Sequence, residues 1–197
     1  MRDDLKTILG GVAQFIAGIG IAAAAVGLYI FSHSHPMIHE SWIEVGQESF
    51  LLIAALLMAA AARQKKAYAG GLWLITGFLT ALFIRELDAW FDDIFHGSWK
   101  YILMVFLVWL GLTIRKAGRE TIVPGLAHFI RSRAFPLMLV GTVIVLAYSR
   151  LYGYKGMWAL YAGDCSWGAI KTLSEEATEL VGYALMFYST WVFKRLK

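Results

Sequence analysis

Long apolar segments separated by short polar stretches dominate the sequence. A helix needs about 20 residues to cross the roughly 30 Å of hydrocarbon in a bilayer. Six segments approach that length, some only when a few polar residues are counted inside the helix: residues 8–31, 43–62, 67–86, 98–114, 134–151 and 173–193. This pattern predicts an all-α fold, a polytopic membrane helix bundle with six transmembrane helices. We expect residues 1–197 to form a single integral membrane domain.

Basic residues are distributed unequally between the polar stretches. If the N-terminus lies inside, thirteen of the 18 Lys and Arg residues fall on the inner side and five on the outer side. Such an excess is typical of cytoplasmic loops. The distribution therefore predicts a multi-pass protein of a bacterial inner or plasma membrane, with both termini cytoplasmic.

Two connections carry apolar residues at helical spacing. In residues 85–96 the apolar positions recur at i, i+3, i+4, i+7 and i+8, the spacing of an amphipathic helix. Residues 119–133 combine an apolar face with flanking arginines, which is typical of a helix that lies on anionic lipid. We expect one outer and one cytoplasmic interfacial amphipathic helix.

The composition favours a membrane protein and limits its partners. The chain is 59% hydrophobic and 16% charged, whereas soluble domains have roughly 45–50% and about 25%. The basic residues form a topology signal rather than a nucleic-acid patch, so membrane lipids are the expected partners and nucleic acid is not.

Small residues four apart in the first span, such as Gly18 and Ala22, permit close helix contact and a homo-oligomer. The single cysteine, Cys165, excludes an intramolecular disulfide.

Carboxylates collect on the predicted outer side. Eleven of the 14 lie outside or in the outer half of a span, which the positive-inside rule does not require. At 1.5 Å per residue, Glu48 lies about 22 Å above the inner end of its helix and Glu179 about 21 Å above the end of its own. Glu86, at the end of the third span, reaches a similar level. These depths predict that three helices deliver carboxylates to one layer.

A carboxylate at that depth is costly and is usually paired, hydrated or protonated. We predict Glu48, Glu179 and Glu86 as catalytic groups, with Arg85 as their counter-ion. Carboxylates and a histidine at i, i+3 and i, i+4 spacing could also direct ligands to one divalent metal ion, such as zinc, manganese, iron or calcium. The candidate metal ligands are Glu44, Glu48, Asp92, His96, Glu175, Glu176 and Glu179.

Simpler interpretations of these residues stay open. Acids near a helix start, such as Glu44 or Glu175, are favoured by the helix dipole alone. Asp92 and His96 could form the hydrated face of the outer interfacial helix.

Three functions are compatible with the pattern. The first is a site in the outer half of the bilayer that acts on a lipid or lipid-linked substrate, with a metal ion bound. The second is a transporter or channel for cations or protons, although the inner half has no matching acids. The third is a non-catalytic membrane subunit or scaffold. No sequence motif names a reaction, so the pattern leaves open whether the protein is an enzyme.

Overall fold

The computed structural model describes residues 2–34, 42–162 and 168–195. These residues are almost entirely helical and include no strand, which confirms the all-α prediction. Cys165 lies outside the described residues. The helices are α1 (Arg2–Ser34), α2 (Trp42–Gln64), α3 (Ala69–Glu86), α4 (Asp88–Asp92), α5 (Trp99–Ala117), α6 (Ile122–Ile130), α7 (Phe135–Val143), α8 (Ser149–Gly153), α9 (Lys155–Ala162) and α10 (Gly168–Arg195).

Short segments of other helical types extend three of these helices. A 3-10 turn at Lys66–Tyr68 leads into α3, and a second at Arg119–Thr121 leads into α6. A π-helical segment, Ile144–Tyr148, joins α7 to α8 without a break. The segment Phe135–Gly153 is therefore one continuous rod with a π-helical centre.

Several helices are long and apolar enough to cross a membrane, so the chain has the character of a membrane protein. Within the described residues, three segments qualify by length and composition: Trp42–Gln64, Lys66–Glu86 and Phe135–Gly153. A fourth qualifies only if α5 and the helical stretch Arg119–Ile130 count as one broken span, bent by 94°. The structure thus supports three or four candidate spans.

Three of the six predicted spans are confirmed as helices of spanning length, and the other three are not. In α1 the apolar stretch that stands out among the described residues is Leu9–Ile21, which is short. The helix α5 carries Arg115 and Lys116 in its last turn and qualifies only together with the stretch Arg119–Ile130. The helix α10 is long, but acids and a lysine lie in its first half. Six spans therefore stay a prediction.

The core lies between α2, α3 and α10. Leu51 of α2, Leu72 and Leu79 of α3, and Met186 of α10 are fully buried there. The helix α10 also packs along α7 and α8, while α5 and α6 pack on α3. The helix α1 contacts α2 and α10. This arrangement gives the molecule two ends: an acidic end, where α2 begins and α3 ends, and a basic end, where α2 ends and α3 begins.

Glycines allow two of these helix pairs to approach closely. A Cβ atom at Gly71 of α3 would lie 2.6 Å from the carbonyl carbon of Gly125 in α6. A Cβ atom at Gly141 of α7 would lie 2.6 Å from the carbonyl oxygen of Gly182 in α10. Because a side chain at these positions would meet backbone atoms, each crossing depends on glycine.

The two predicted interfacial helices differ from the prediction in length. Residues 85–96 do not form one helix, because α3 continues to Glu86 and the following helix covers only Asp88–Asp92. Turns follow up to Gly97, whose φ of 81° lies in the left-handed region that favours glycine. In residues 119–133 a helix does form, and Phe129 on its predicted apolar face is buried.

Candidate functional site

Two acidic side chains at the acidic end each contact an arginine and a hydroxyl group. Glu86 ends α3, and its carboxylate accepts a hydrogen bond from the Arg85 guanidinium at 2.7 Å. The Tyr183 hydroxyl of α10 donates to the same carboxylate oxygen at 2.8 Å. The Tyr183 ring is fully buried. The Arg85 side chain is 42% exposed and that of Glu86 is 12% exposed, so the charge pair lies at the edge of the bundle.

The second acid, Glu179 of α10, is the more deeply buried of the two. Its side chain is 7% exposed and forms an ion pair with Arg150, whose side chain is 47% exposed. The Ser149 hydroxyl lies 3.1 Å from the same Glu179 oxygen and 2.7 Å from the Val145 carbonyl. Because a serine has a single hydroxyl proton, Ser149 donates to one of these acceptors at a time.

A third acid extends the network along α10. Glu175, one turn before Glu179, pairs with Arg150 at 3.1 Å and with Lys171 at 3.1 Å. The helix α8 passes close to this carboxylate, since a Cβ atom at Gly153 would lie 2.7 Å from a Glu175 oxygen. Residues 175, 179 and 183 are spaced by four, so they share one face of α10. That face carries a row of polar groups, here called the network: Lys171, Glu175 and Glu179 with Arg150, followed one turn later by Tyr183 with Glu86 and Arg85.

The structure brings four of the predicted site residues into this network. They are Arg85, Glu86, Glu175 and Glu179. From α2, the Gln47 side chain is buried and donates a hydrogen bond to the Glu176 backbone carbonyl of α10 at 2.8 Å. Glu44 and Glu48 flank Gln47 on α2 and are half-buried.

Asp92 and His96 form a local turn at the surface. The His96 side chain is 98% exposed, and its Nδ1 lies 2.8 Å from an Asp92 carboxylate oxygen. The Gly97 backbone N–H donates to the other Asp92 oxygen at 2.7 Å. These hydrogen bonds, that from Gly97 above all, hold the pKa of the Asp92 carboxyl below its ordinary value. Both oxygens of the Asp92 carboxylate thus hold the turn that follows α4, which explains why the helix predicted over residues 85–96 stops at Asp92.

Three carboxylates at this end, those of Glu86, Glu175 and Glu179, are paired with basic side chains. Across residues 2–34, 42–162 and 168–195, no group of three or more His, Cys, Asp or Glu side chains is placed to hold a metal ion. In the network, each of these carboxylates contacts at least one cationic side chain. Such an arrangement can orient an ionic substrate and can hold or move protons.

An apolar groove lies beside the network. It has a volume of about 570 Å³ and opens between the last turn of α3 and α5. Its lining is entirely hydrophobic: Ile84, Tyr101, Ile102, Val105, Phe106 and Trp109. Successive helix residues are 100° apart, so Ile84 and Glu86 project on opposite sides of α3. Arg85 projects between the groove and the network.

The sequence pattern does not predict the role of Arg150. It is one of the five basic residues on the predicted outer side, whereas the counter-ion predicted for the carboxylates is Arg85. A signal was present, because Ser149 and Arg150 lie at the end of the fifth predicted span, level with Glu179. What the spacing could not supply is the close crossing of α7 and α10 at Gly141 and Gly182, which brings Arg150 to Glu179.

No family model, curated protein or solved structure matches the chain.

Proposed function

We propose that the protein is a membrane protein that acts on a lipid or lipid-linked substrate at its acidic end. The observation that carries this proposal is that Arg85 directly follows Ile84, which lines the apolar groove, and pairs with Glu86 in a partly buried network of carboxylates and hydroxyls. The groove would receive a hydrocarbon chain, and Arg85 would bind the polar end of the same molecule.

The lining of the groove and its position beside candidate spans both favour a lipid as its ligand. All of its lining residues are hydrophobic, and Ile102 and Val105 on α5 are exposed. Hydrophobic side chains exposed beside candidate spans face lipid in a membrane. A groove in that surface is open to a substrate that approaches from within the bilayer.

Arginine suits the polar end of such a substrate. A guanidinium carries five N–H donors in a planar fork that matches phosphate and carboxylate groups. One Arg85 nitrogen binds Glu86, and the exposed part of the side chain leaves other donors for a ligand. Glu86 and Glu179, which contact different arginines and hydroxyl groups, would divide the roles of acid and base in a reaction.

Cation transport is the alternative that we rank second. A buried carboxylate such as Glu179 is a group that proton carriers use. The positive charges of Arg85 and Arg150 beside the two carboxylates raise the electrostatic barrier to a cation in the same layer. A scaffold role needs no groove, so we rank it third.

The first test maps lipid contacts with a phosphatidylglycerol that carries a photoreactive acyl chain. Wild-type protein in bilayer discs should crosslink to the α5 residues that line the groove. Val105→Trp fills the groove and should reduce that crosslinking about tenfold, since it displaces the chain. Val108→Trp is the matched control, because Val108 is exposed on the same helix and does not line the groove. Equal crosslinking in both variants would contradict a lipid-binding groove.

The second test asks for a reaction. Cells that overproduce wild-type protein are compared with cells that overproduce Glu179→Gln, which keeps the hydrogen bonds to Arg150 and Ser149 but cannot exchange a proton. We expect one class of lipid to change in amount with the wild type only. Identical lipid profiles, with both proteins folded and equally abundant, would remove the catalytic role of Glu179.

The remaining predictions from the sequence are proposals of their own. We infer a bacterial inner or plasma membrane location, six spans with both termini cytoplasmic, and a homo-oligomer through the small-residue faces of α1. A bound divalent metal at the acidic end also stays a prediction. Elemental analysis of purified wild type beside Glu48→Gln and Glu179→Gln tests it, and a folded, metal-free wild type would contradict it.

A further inference from the structure

A second cavity lies at the basic end, away from the proposed lipid site. It has a volume of about 290 Å³ and lies between the end of α2, the start of α3 and the end of α5. Arg63, Lys66 and Lys116 surround it, and alanines and Trp73 form its apolar wall. The Arg63 guanidinium lies over the Trp73 ring, 5.9 Å from its centroid. The cavity thus combines an apolar wall with three cationic side chains.

The positive charge of this cavity is not balanced by neighbouring acids. Of the residues that line it, none is acidic. Throughout the part of the chain that the structure describes, Arg63, Lys66 and Lys116 form no ion pair. Three like charges around one cavity repel one another, and a bound anion would relieve that repulsion. The chemistry of the cavity therefore suits an anion, and its three charges suit a phosphate.

The cavity also lies at the level where a membrane presents phosphate groups. The candidate span Trp42–Gln64 ends one residue after Arg63, and the candidate span Lys66–Glu86 begins at Lys66. The ends of spans lie in the headgroup region. Trp73 and Thr113 line the cavity deeper along the helices, so its wall continues toward the hydrocarbon. A lipid that enters it could place phosphate among the cations and apolar parts against Trp73.

We propose that this cavity binds the phosphate of an anionic membrane lipid. Basic cavities between membrane helices recognise such headgroups. The phosphate would lie between Arg63, Lys66 and Lys116, with the glycerol part of the lipid against the alanine and tryptophan wall. This site is independent of the groove beside Arg85, because the two lie at opposite ends of α3.

The test measures lipid binding by native mass spectrometry on delipidated protein. The probes are dioleoyl-phosphatidylglycerol, dioleoyl-phosphatidylcholine and inorganic phosphate. Lys66→Gln/Lys116→Gln should weaken phosphatidylglycerol binding about 10- to 30-fold, because each lost lysine charge weakens the attraction to an anionic headgroup by a similar factor. Phosphatidylcholine binding should change little. Lys66→Arg/Lys116→Arg, which keeps the charges, should retain the affinity.

The matched control is Arg115→Gln/Arg119→Gln. Both arginines are exposed and neighbour the cavity in sequence without lining it, and the change in net charge is the same. An equal loss of affinity in both double variants would show general surface attraction and overturn the proposal. Binding of inorganic phosphate that displaces the lipid at millimolar concentration, with no preference for phosphatidylglycerol over phosphatidylcholine, would also overturn it in favour of a free phosphate site.

Discussion

At the scale of single residues, the buried Glu179 depends on its cation. Taking a carboxylate out of water is costly unless an opposite charge or hydrogen bonds replace the lost hydration. Arg150 and Ser149 do so for Glu179. The exposed half of Arg150 reaches water, so the pair is desolvated mainly on the glutamate side.

Replacing Arg150 should therefore destabilise the protein through Glu179. We expect Arg150→Gln to lower the free energy of unfolding by about 1–3 kcal/mol, the cost of a buried polar group without its partner, reduced by the exposure of Arg150. The double variant Arg150→Gln/Glu179→Gln should recover most of that loss, because it leaves no unpaired charge. Thermal unfolding in one detergent checks both variants.

Lys155→Gln is the control for this prediction. Lys155 is exposed near α8 and forms no ion pair within the described residues, so we expect a change of about 0.5 kcal/mol or less. If Arg150→Gln were no more harmful than Lys155→Gln, the Arg150–Glu179 pair would contribute nothing to stability.

At the scale of helices, glycine sets how closely α3 and α6 approach. A Cβ atom at Gly71 would meet the backbone of Ile122, Gly125 and Leu126. Backbone atoms cannot turn aside as a side chain does, so Gly71→Ala must separate the helices. We expect a loss of about 1–3 kcal/mol in the free energy of unfolding, typical of overpacking, measured by thermal unfolding.

Gly111 provides a control of opposite sign. It lies in α5, and a Cβ atom there would meet nothing within 4 Å. Because alanine is favoured over glycine inside a helix by about 1 kcal/mol, Gly111→Ala should be neutral or stabilising. Equal effects at Gly71 and Gly111 would mean that the α3–α6 contact is not close in solution.

The helices differ in how far the sequence could predict them. Apolar runs predict α2 and α3 within about two residues, because lipid and core both demand apolar side chains over a whole span. A bend between α5 and α6 follows from the prediction of a span over 98–114 and an interfacial helix over 119–133. Its angle could not be predicted, since the angle depends on Gly118 with a φ of 95° and on docking against α3. The short α4 ends at Asp92, whose carboxylate accepts a hydrogen bond from the Gly97 backbone N–H. The periodicity of apolar residues does not predict this hydrogen bond.

The candidate site shows the same division. Depth along the helices was enough to group Glu86 with Glu179, since rise per residue is fixed. Depth alone was not enough to predict which side chains at the same depth contact each other, because those contacts depend on how the helices rotate and cross. Arg150 at Glu179 and Gln47 at α10 are contacts of this second kind.

At the scale of the whole molecule, α10 is one of the three predicted spans that apolar composition does not confirm. Its charged residues exclude it from the spans recognised by apolar composition. Its polar face, however, turns toward α3 and α8. Arg150 of α8 pairs with Glu179, and Tyr183 of α10 donates to Glu86 of α3, which also pairs with Arg85. A helix whose charges are paired inside the bundle can cross a membrane at much lower cost than one that exposes them to lipid. We therefore expect α10 to cross the bilayer as the sixth span.

Reporter fusions test this expectation. A reporter active only in the periplasm should be active after Tyr154 and silent after Lys197, because a spanning α10 puts these positions on opposite sides. A reporter active only in the cytoplasm should give the reverse result at both positions, which controls for expression. The same reporter activity at both positions would show that α10 does not cross the membrane. The carboxylates of the network would then lie at the surface in water, and the proposed site within the bilayer would be lost with them.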